Sequence, residues 1–230
     1  MPGNLEAVFF DVDGVLTEYK SSWDYIHRKL GVTEEAQVNY DLFLQGRISY
    51  EDWMLLDTKL WVEAAGGRLH KDELYRILSE IPIRKGAREL VSWLHRIGVK
   101  VALVSLGVEP LVARVAREVG ADVWMAPRLR YDKRGYLIPG GIPVPAPGSE
   151  RGKGWAVKRL AMLLGVSLSR SAYVGDSVWD ADAFRVVGYP IGFGEDHSSI
   201  EGLVKCHARD FEELRRILEE IIERGSCVSQ

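Results

Sequence analysis

The spacing of apolar residues changes twice along the chain. Ala7-Val8-Phe9-Phe10 is a short unbroken run of apolar, partly β-branched and aromatic residues, which reads as a strand buried on both faces. From Thr17 to Pro82 the period is helical instead. Ser21-Ser22 caps a helix carrying Trp23, Ile26, His27 and Leu30, and Gly31 ends it. Thr33-Glu34-Glu35-Ala36 starts a second helix. Ser49-Tyr50-Glu51-Asp52 resembles a capping signal for a third, running through Trp53, Leu56, Leu60 and Trp61 to Gly66-Gly67, and a fourth covers 71–81. From Gly86 onward helices and strands alternate. Helices are expected over 87–97, 109–119, 155–164, 179–187 and 210–224, and strands over 99–104, 122–126, 172–175 and 189–193. Leu129-Arg130-Tyr131 and Tyr136-Leu137-Ile138 flank a turn at Asp132-Lys133-Arg134-Gly135, and the Pro- and Gly-rich stretch 139–154 reads as loop. Such alternation requires a parallel sheet with helices on both faces, so the class is α/β. The helical block after the first strand is expected to be a separate cap at 18–82, inserted between core segments 1–17 and 83–230.

Composition narrows the function classes without naming one. The 230 residues are 47% hydrophobic and 27% charged, enough for a sizeable core. A net charge of −3 supplies no field to recruit nucleic acid or an anionic membrane. No apolar run approaches the roughly 20 residues of a membrane span, and the start lacks a basic region followed by an apolar one, so a cytoplasmic monomer or homodimer is expected. Cys206 and Cys227 have no metal-ligand spacing and read as incidental thiols. His27, His70, His95, His197 and His207 are scattered, and Trp23, Trp53 and Trp61 read as the core of the helical block.

The candidate chemistry lies at strand ends. Asp11 and Asp13 follow the first strand, Ser105 follows the second, Lys153 precedes a helix, and Asp176 and Asp180 follow Ala172-Tyr173-Val174-Gly175. The carboxyl ends of parallel strands share one edge, where open α/β sheets bind ligands. Carboxylates one residue apart repel unless a cation or a shared proton lies between them. Three or four carboxylates without a His or Cys cluster suit a hard cation such as Mg²⁺. A serine hydroxyl and a lysine ammonium add what is needed to hold a phosphoryl group.

Asp11-Val12-Asp13-Gly14-Val15-Leu16-Thr17, Ser105, Lys153 and Gly175-Asp176-Ser177-Val178-Trp179-Asp180 together resemble the four ordered motifs of the haloacid dehalogenase superfamily of phosphohydrolases. The insertion after the first motif, and the segment from Ala126 to Leu137, resemble its phosphoserine phosphatase-like branch. The resemblance implies a Rossmann-like core with a mobile cap, and Asp11 as the nucleophile that forms an aspartyl phosphate. It makes Asp13 the general acid and base, and Asp11, the Asp13 main-chain carbonyl and Asp176 the Mg²⁺ ligands. Ser105, the N–H groups near Leu106 and Gly107, and Lys153 would bind phosphate, with Asp180 supporting the metal or Lys153. In the phosphoserine enzymes a cap glutamate and a cap arginine hold the substrate's amine and carboxylate. Here Lys20 and Asp57 fall near those places, with Glu18 or Arg47 as substitutes and Lys59 as a further cation. The expected substrate is therefore a small phosphorylated metabolite, not committed to phosphoserine. A phosphomutase or phosphotransferase, and a non-catalytic phosphate-binding module, are the alternatives.

Overall fold

A computed structural model describes residues 5–195 and 198–227, so His197 lies outside the described residues. Strands β1 (Ala7–Phe10), β2 (Lys100–Val104), β3 (Val123–Met125), β6 (Ser171–Gly175), β7 (Tyr189–Phe193) and β8 (Cys206–Ala208) form one parallel sheet in the order β3-β2-β1-β6-β7-β8. Register aligns Phe10 of β1 with Leu103 of β2 and Val174 of β6, so these three strands end side by side. Successive β1 side chains enter opposite faces. Val8 and Phe10 join a core built with α5 (Ala87–Arg96), α6 (Glu109–Val119) and α9 (Phe211–Arg224). Ala7 and Phe9 join a second core built with α7 (Lys153–Leu164) and α8 (Ala181–Phe184). Both faces are covered, which is why the strand carries no polar residue.

Four helices, α1 (Ser22–Leu30), α2 (Thr33–Leu44), α3 (Tyr50–Ala64) and α4 (Lys71–Ser79), lie between β1 and α5. Their starts follow the sequence signals. Ser21 accepts from the Asp24 amide, and Ser49 and Asp52 form a reciprocal capping box. The two connections to the sheet run against each other. Thr17 bridges Ile83, the Glu18 amide donates to the Pro82 carbonyl, and the Arg84 amide donates to the Leu16 carbonyl. The Arg84 guanidinium donates to the carbonyls of Thr17 at 3.2 Å and Gly14 at 3.1 Å, tying the junction to the turn that follows β1.

The structure departs from the sequence reading in five places. The 139–154 stretch is not all loop, because β5 (Leu137–Ile142) runs into it and pairs antiparallel with β4 (Arg128–Tyr131). Glycine there serves close packing: a Cβ on Gly141 would meet the Met54 side chain of α3 at 2.1 Å and the Arg128 carbonyl at 2.3 Å. The helix expected over 179–187 shrinks to a 3₁₀ turn at Val178–Asp180 and α8, because Ser177 and Asp180 cap each other and the chain must turn back into β7. Lys153 sits inside the first turn of α7 rather than ahead of the helix. At three residues, β8 is too short to show a period. Cys206 and Cys227 are joined as a disulfide with Cα atoms 6.3 Å apart, not left as thiols. The fold of β8 and α9 brings together two cysteines that are 21 residues apart in sequence.

Arg84→Ala removes two charge-assisted bonds to backbone carbonyls at the junction. It is expected to destabilise the protein by about 1–3 kcal/mol, read as a lowered midpoint in thermal or denaturant unfolding.

Candidate active site

The sheet edge places each motif residue by backbone geometry. The Asp11 amide continues the β1 ladder by donating to the Val174 carbonyl, which holds the carboxylate at the strand's end. Asp11 Oδ1 then accepts from the Val12 amide at 2.7 Å. Gly14 turns the chain with φ 79°, and a Cβ there would meet Asp176 Oδ2 at 2.2 Å. Only a residue without a side chain lets the Asp176 carboxylate lie over this turn.

Lys153 organises the centre. Its ammonium is buried and donates to Asp11 Oδ2 at 2.7 Å and to Asp180 Oδ1 at 2.6 Å. Burial alone would depress the Lys153 pKa, but the two carboxylates more than offset it and hold the group charged. Burial pushes Asp11 well above the ordinary carboxylate value; Lys153 opposes this, while Asp180 and Asp176 add to it. Asp176 is raised to about 6, by burial first and then by Asp180. A surplus of carboxylate over cation is thus built into the site.

Asp11, Asp176 and Asp180 carry oxygens within 4.8 Å of one another, a hard-donor set that fits a divalent cation. Burial is the larger cause of the raised values of Asp11 and Asp176, and the repulsion of neighbouring carboxylates adds to it. Asp180 differs from the other two. Its Oδ1 also accepts from the Tyr173 hydroxyl at 2.6 Å, and its Oδ2 accepts from the amides of Asp176 and Ser177 at 3.2 Å. With its lone pairs engaged and no exposure to solvent, Asp180 is fitted to hold Lys153 and the Asp176 loop rather than to bind an ion directly.

At the end of β2, Ser105 is buried, and its Oγ accepts from the Gly107 amide at 3.0 Å. A Cβ on Gly107 would meet Asp13 Oδ2 at 2.5 Å and Ser22 Oγ at 2.7 Å. That crowding exposes a contact the sequence reading missed. The Ser22 amide and hydroxyl both donate to Asp13 Oδ2, at 2.8 and 2.7 Å, and Ser22 Oγ accepts from the Val108 amide at 3.1 Å. Ser22 resembled a helix-capping residue in sequence, and Ser21 performs that task; no local pattern announces the tertiary bond. Burial raises Asp13, and the Ser22 bonds moderate the rise. Asp13 Oδ1 is buried with no partner.

These residues open into one cavity of about 450 Å³, whose other wall comes from the inserted helices. Lys20 and Asp57 line it; Arg47, Glu18 and Lys59 do not. Lys59 instead pairs with Glu63 on its own helix. Asp57 is buried, accepts from Asn39 at 2.9 Å and faces His27 at 3.3 Å. Of the three tryptophans read as core, Trp61 is fully buried, whereas Trp23 and Trp53 line the cavity. Trp23 Nε1 donates to the Leu106 carbonyl at 3.0 Å, latching α1 to the loop after β2.

The pattern of the haloacid dehalogenase-like hydrolases matches residues 5–188. A phosphoserine phosphatase of Methanocaldococcus jannaschii is 27% identical over 188 residues, covering 82% of this chain and 85% of that protein. The human phosphoserine phosphatase is 27% identical over 222 residues, covering 94% of both. A phosphoserine phosphatase crystal structure in its apo form superposes with a TM-score of 0.76 at 23% identity, over 93% of this chain and 98% of that one, which shows the shared fold.

Lys153→Met leaves Asp11 and Asp180 buried with no ammonium between them. In chelator it is expected to cost about 3–5 kcal/mol in denaturant unfolding. Adding Asp180→Asn, which removes one of the two opposed charges, is expected to restore part of that loss.

Proposed function

The chain belongs to the haloacid dehalogenase-like hydrolases, within the phosphoserine phosphatase-like branch, and we propose that it is a Mg²⁺-dependent phosphatase that acts on a small phosphomonoester. What carries this reading is that one cavity gathers Asp11, Asp13, Ser105, Lys153 and Asp176. We take 1–17 and 83–230 as its core and 18–82 as its cap; the paired crossing of Thr17 and Ile83 supports that division.

Each residue has a task its surroundings suit. A carboxylate oxygen of Asp11 attacks phosphorus, forming an aspartyl phosphate as the ester O–P bond breaks. Lys153 fixes the direction of that carboxylate. Asp13 gives its proton to the departing alkoxide, and its elevated pKa favours holding that proton beforehand. Both Ser22 bonds fall on Oδ2, so Oδ1 is the oxygen left to carry the proton. Water then attacks the phosphoaspartate, Asp13 takes a proton from it, and Asp11 and inorganic phosphate are released. Ser105 keeps its hydroxyl proton for a phosphoryl oxygen because its Oγ already accepts from Gly107. Lys153 and the Leu106 amide add positive potential where transition-state charge spreads, while the Gly107 amide orients Ser105. Asp11, Asp176 and the Asp13 carbonyl would hold Mg²⁺, which supplies charge neutralisation between an anionic nucleophile and an anionic substrate.

Incubation with p-nitrophenyl phosphate and Mg²⁺ is expected to release phosphate, and chelator is expected to stop it. Asp11→Asn is expected to fall below detection, and Asp13→Asn to lose about 100- to 10,000-fold in kcat. Absence of release by the wild type across divalent metals and pH removes the reading.

Metal affinity is also expected to depend on pH in a stated direction. Asp176 must be ionised to ligate, and its pKa is raised to about 6. Asp11, also raised, must be ionised too, so calorimetric titration with Mg²⁺ should show affinity that weakens as pH falls through this range, by about tenfold per pH unit for each carboxylate that a proton occupies.

A further inference from the structure

The inserted helices bring a carboxylate that lacks a cation to the wall of the same cavity. Asp57 of α3 lines it, yet is only 1% exposed. Asn39 donates to its Oδ1 at 2.9 Å, but Oδ2 has no hydrogen-bond partner. His27 Nε2 stands 3.3 Å from Oδ2 and makes no hydrogen bond to it either. Among the described residues, no lysine or arginine reaches ion-pair distance of Asp57. A buried carboxylate left in this way is costly, and the cost falls when a positive charge comes beside it.

Aromatic rings surround the same space. Trp23, Tyr40, Tyr50, Trp53 and Trp179 line the cavity with Asp57. Tyr40, Phe43 and Tyr50 pack on Trp53 with ring centroids 5.3, 4.8 and 5.7 Å away, and Phe43 also stacks on Trp179 at 6.3 Å. Trp179 belongs to the 3₁₀ turn after β6, so rings of the inserted helices and of the sheet edge meet there. The faces of indole and phenol carry negative potential and attract a cation, most strongly where water is excluded. The cavity's own lysines are engaged elsewhere: Lys153 is held by Asp11 and Asp180, and Lys20 acts on Asp176. Asp24 also lines the cavity, but Arg28 meets it at 2.9 Å. The positive charge that suits Asp57 and the rings is therefore left to the ligand.

Resting on the phosphatase reading above, we propose that the leaving alcohol carries a cation, an alkylammonium group seated against these rings with Asp57 supplying the opposing charge. The substrate class is a phosphomonoester of an amino alcohol. An ammonium that keeps N–H donors can answer Oδ2, whereas a quaternary one relies on the rings and on charge; the cation is common to both. A carboxylate on the same alcohol gains nothing here, because Asp57 repels it and, among the described residues, no arginine lines the cavity to receive it.

The test separates binding from turnover. With Mg²⁺ present, calorimetry on Asp11→Asn measures affinity within two matched pairs. One is phosphocholine and its carbon isostere, in which a tert-butyl group replaces trimethylammonium; the other is phosphoethanolamine and propyl phosphate. At least one cationic ester is expected to bind about tenfold or more tighter than its neutral partner. The pair with the larger ratio distinguishes a quaternary from a protonated ammonium. Phosphoserine, which adds a carboxylate to the same ammonium, is expected to bind more weakly than phosphoethanolamine. Adding Asp57→Asn, which keeps the side chain's shape, should erase most of the cationic ratio. Trp179→Leu, on the other wall and outside the inserted helices, should reduce it as well, so a folding defect in one variant leaves the other informative. Equal or tighter binding of both neutral esters overturns the proposal, as does failure of every ester to bind. So does a ratio that survives Asp57→Asn, the result expected if His27 already answers that charge, and so does tighter binding of phosphoserine than of both cationic esters. Turnover by the wild type judges the phosphatase reading separately. Hydrolysis without a cation preference keeps that reading and removes this one, and a cation preference without hydrolysis does the reverse.

Discussion

A buried ammonium between two carboxylates is the contact on which the rest of the site depends. Lys153 joins Asp11 at the end of β1 to Asp180 beyond the end of β6, and does so from the first turn of α7 on one face of the sheet. Three elements distant in sequence are therefore held in one relation by a single Nζ atom. Asp180 extends the hold through Tyr173 and the amides of Asp176 and Ser177, which shapes the second half of the carboxylate cluster. Such an arrangement is not the cheapest way to stabilise a core, since desolvating three charges costs more than packing apolar groups of similar size. What it provides is direction: a carboxylate fixed by Lys153 on one oxygen and by a backbone amide on the other has little freedom to turn.

The core was legible in the sequence because its signals are local. Ala7–Phe10 has no polar residue because both faces of β1 are covered, and the Ser49 capping box marks the start of α3 within four residues. The motif residues were legible for the same reason, each standing at the end of a recognisable strand or the start of a helix. What escaped was set by tertiary contact. Ser22 reaches Asp13 only once α1 has folded against the loop after β2, and the pairing of Cys206 with Cys227 depends on where α9 ends. Pro139-Gly140-Gly141 carries loop composition yet belongs to β5, because its glycines admit α3 at close range. Trp23 and Trp53 show helical spacing that fits either a core or a cavity wall, and spacing alone does not separate the two.

The contacts between the inserted helices and the sheet edge concentrate on one loop. The Leu106 carbonyl accepts from Trp23, the Val108 amide donates to Ser22, and Gly107 is crowded by Ser22 and Asp13. The same short stretch carries the Leu106 amide that we propose meets phosphate. Seating of the helices and placement of Ser105 are thus properties of one piece of backbone.

The paired crossing of residues 17–18 with 82–84 carries a consequence for the inserted segment. Both strands of the connection enter and leave within one small bridge, secured by Arg84. A segment that leaves and returns at one point can vary in length at small entropic cost without disturbing the order of strands in the sheet. Ser22 sets the limit on that freedom. It lies nine positions after Asp13 and grips its carboxylate with a hydroxyl and an amide, so any change in the segment that moves its first helix also loosens this aspartate.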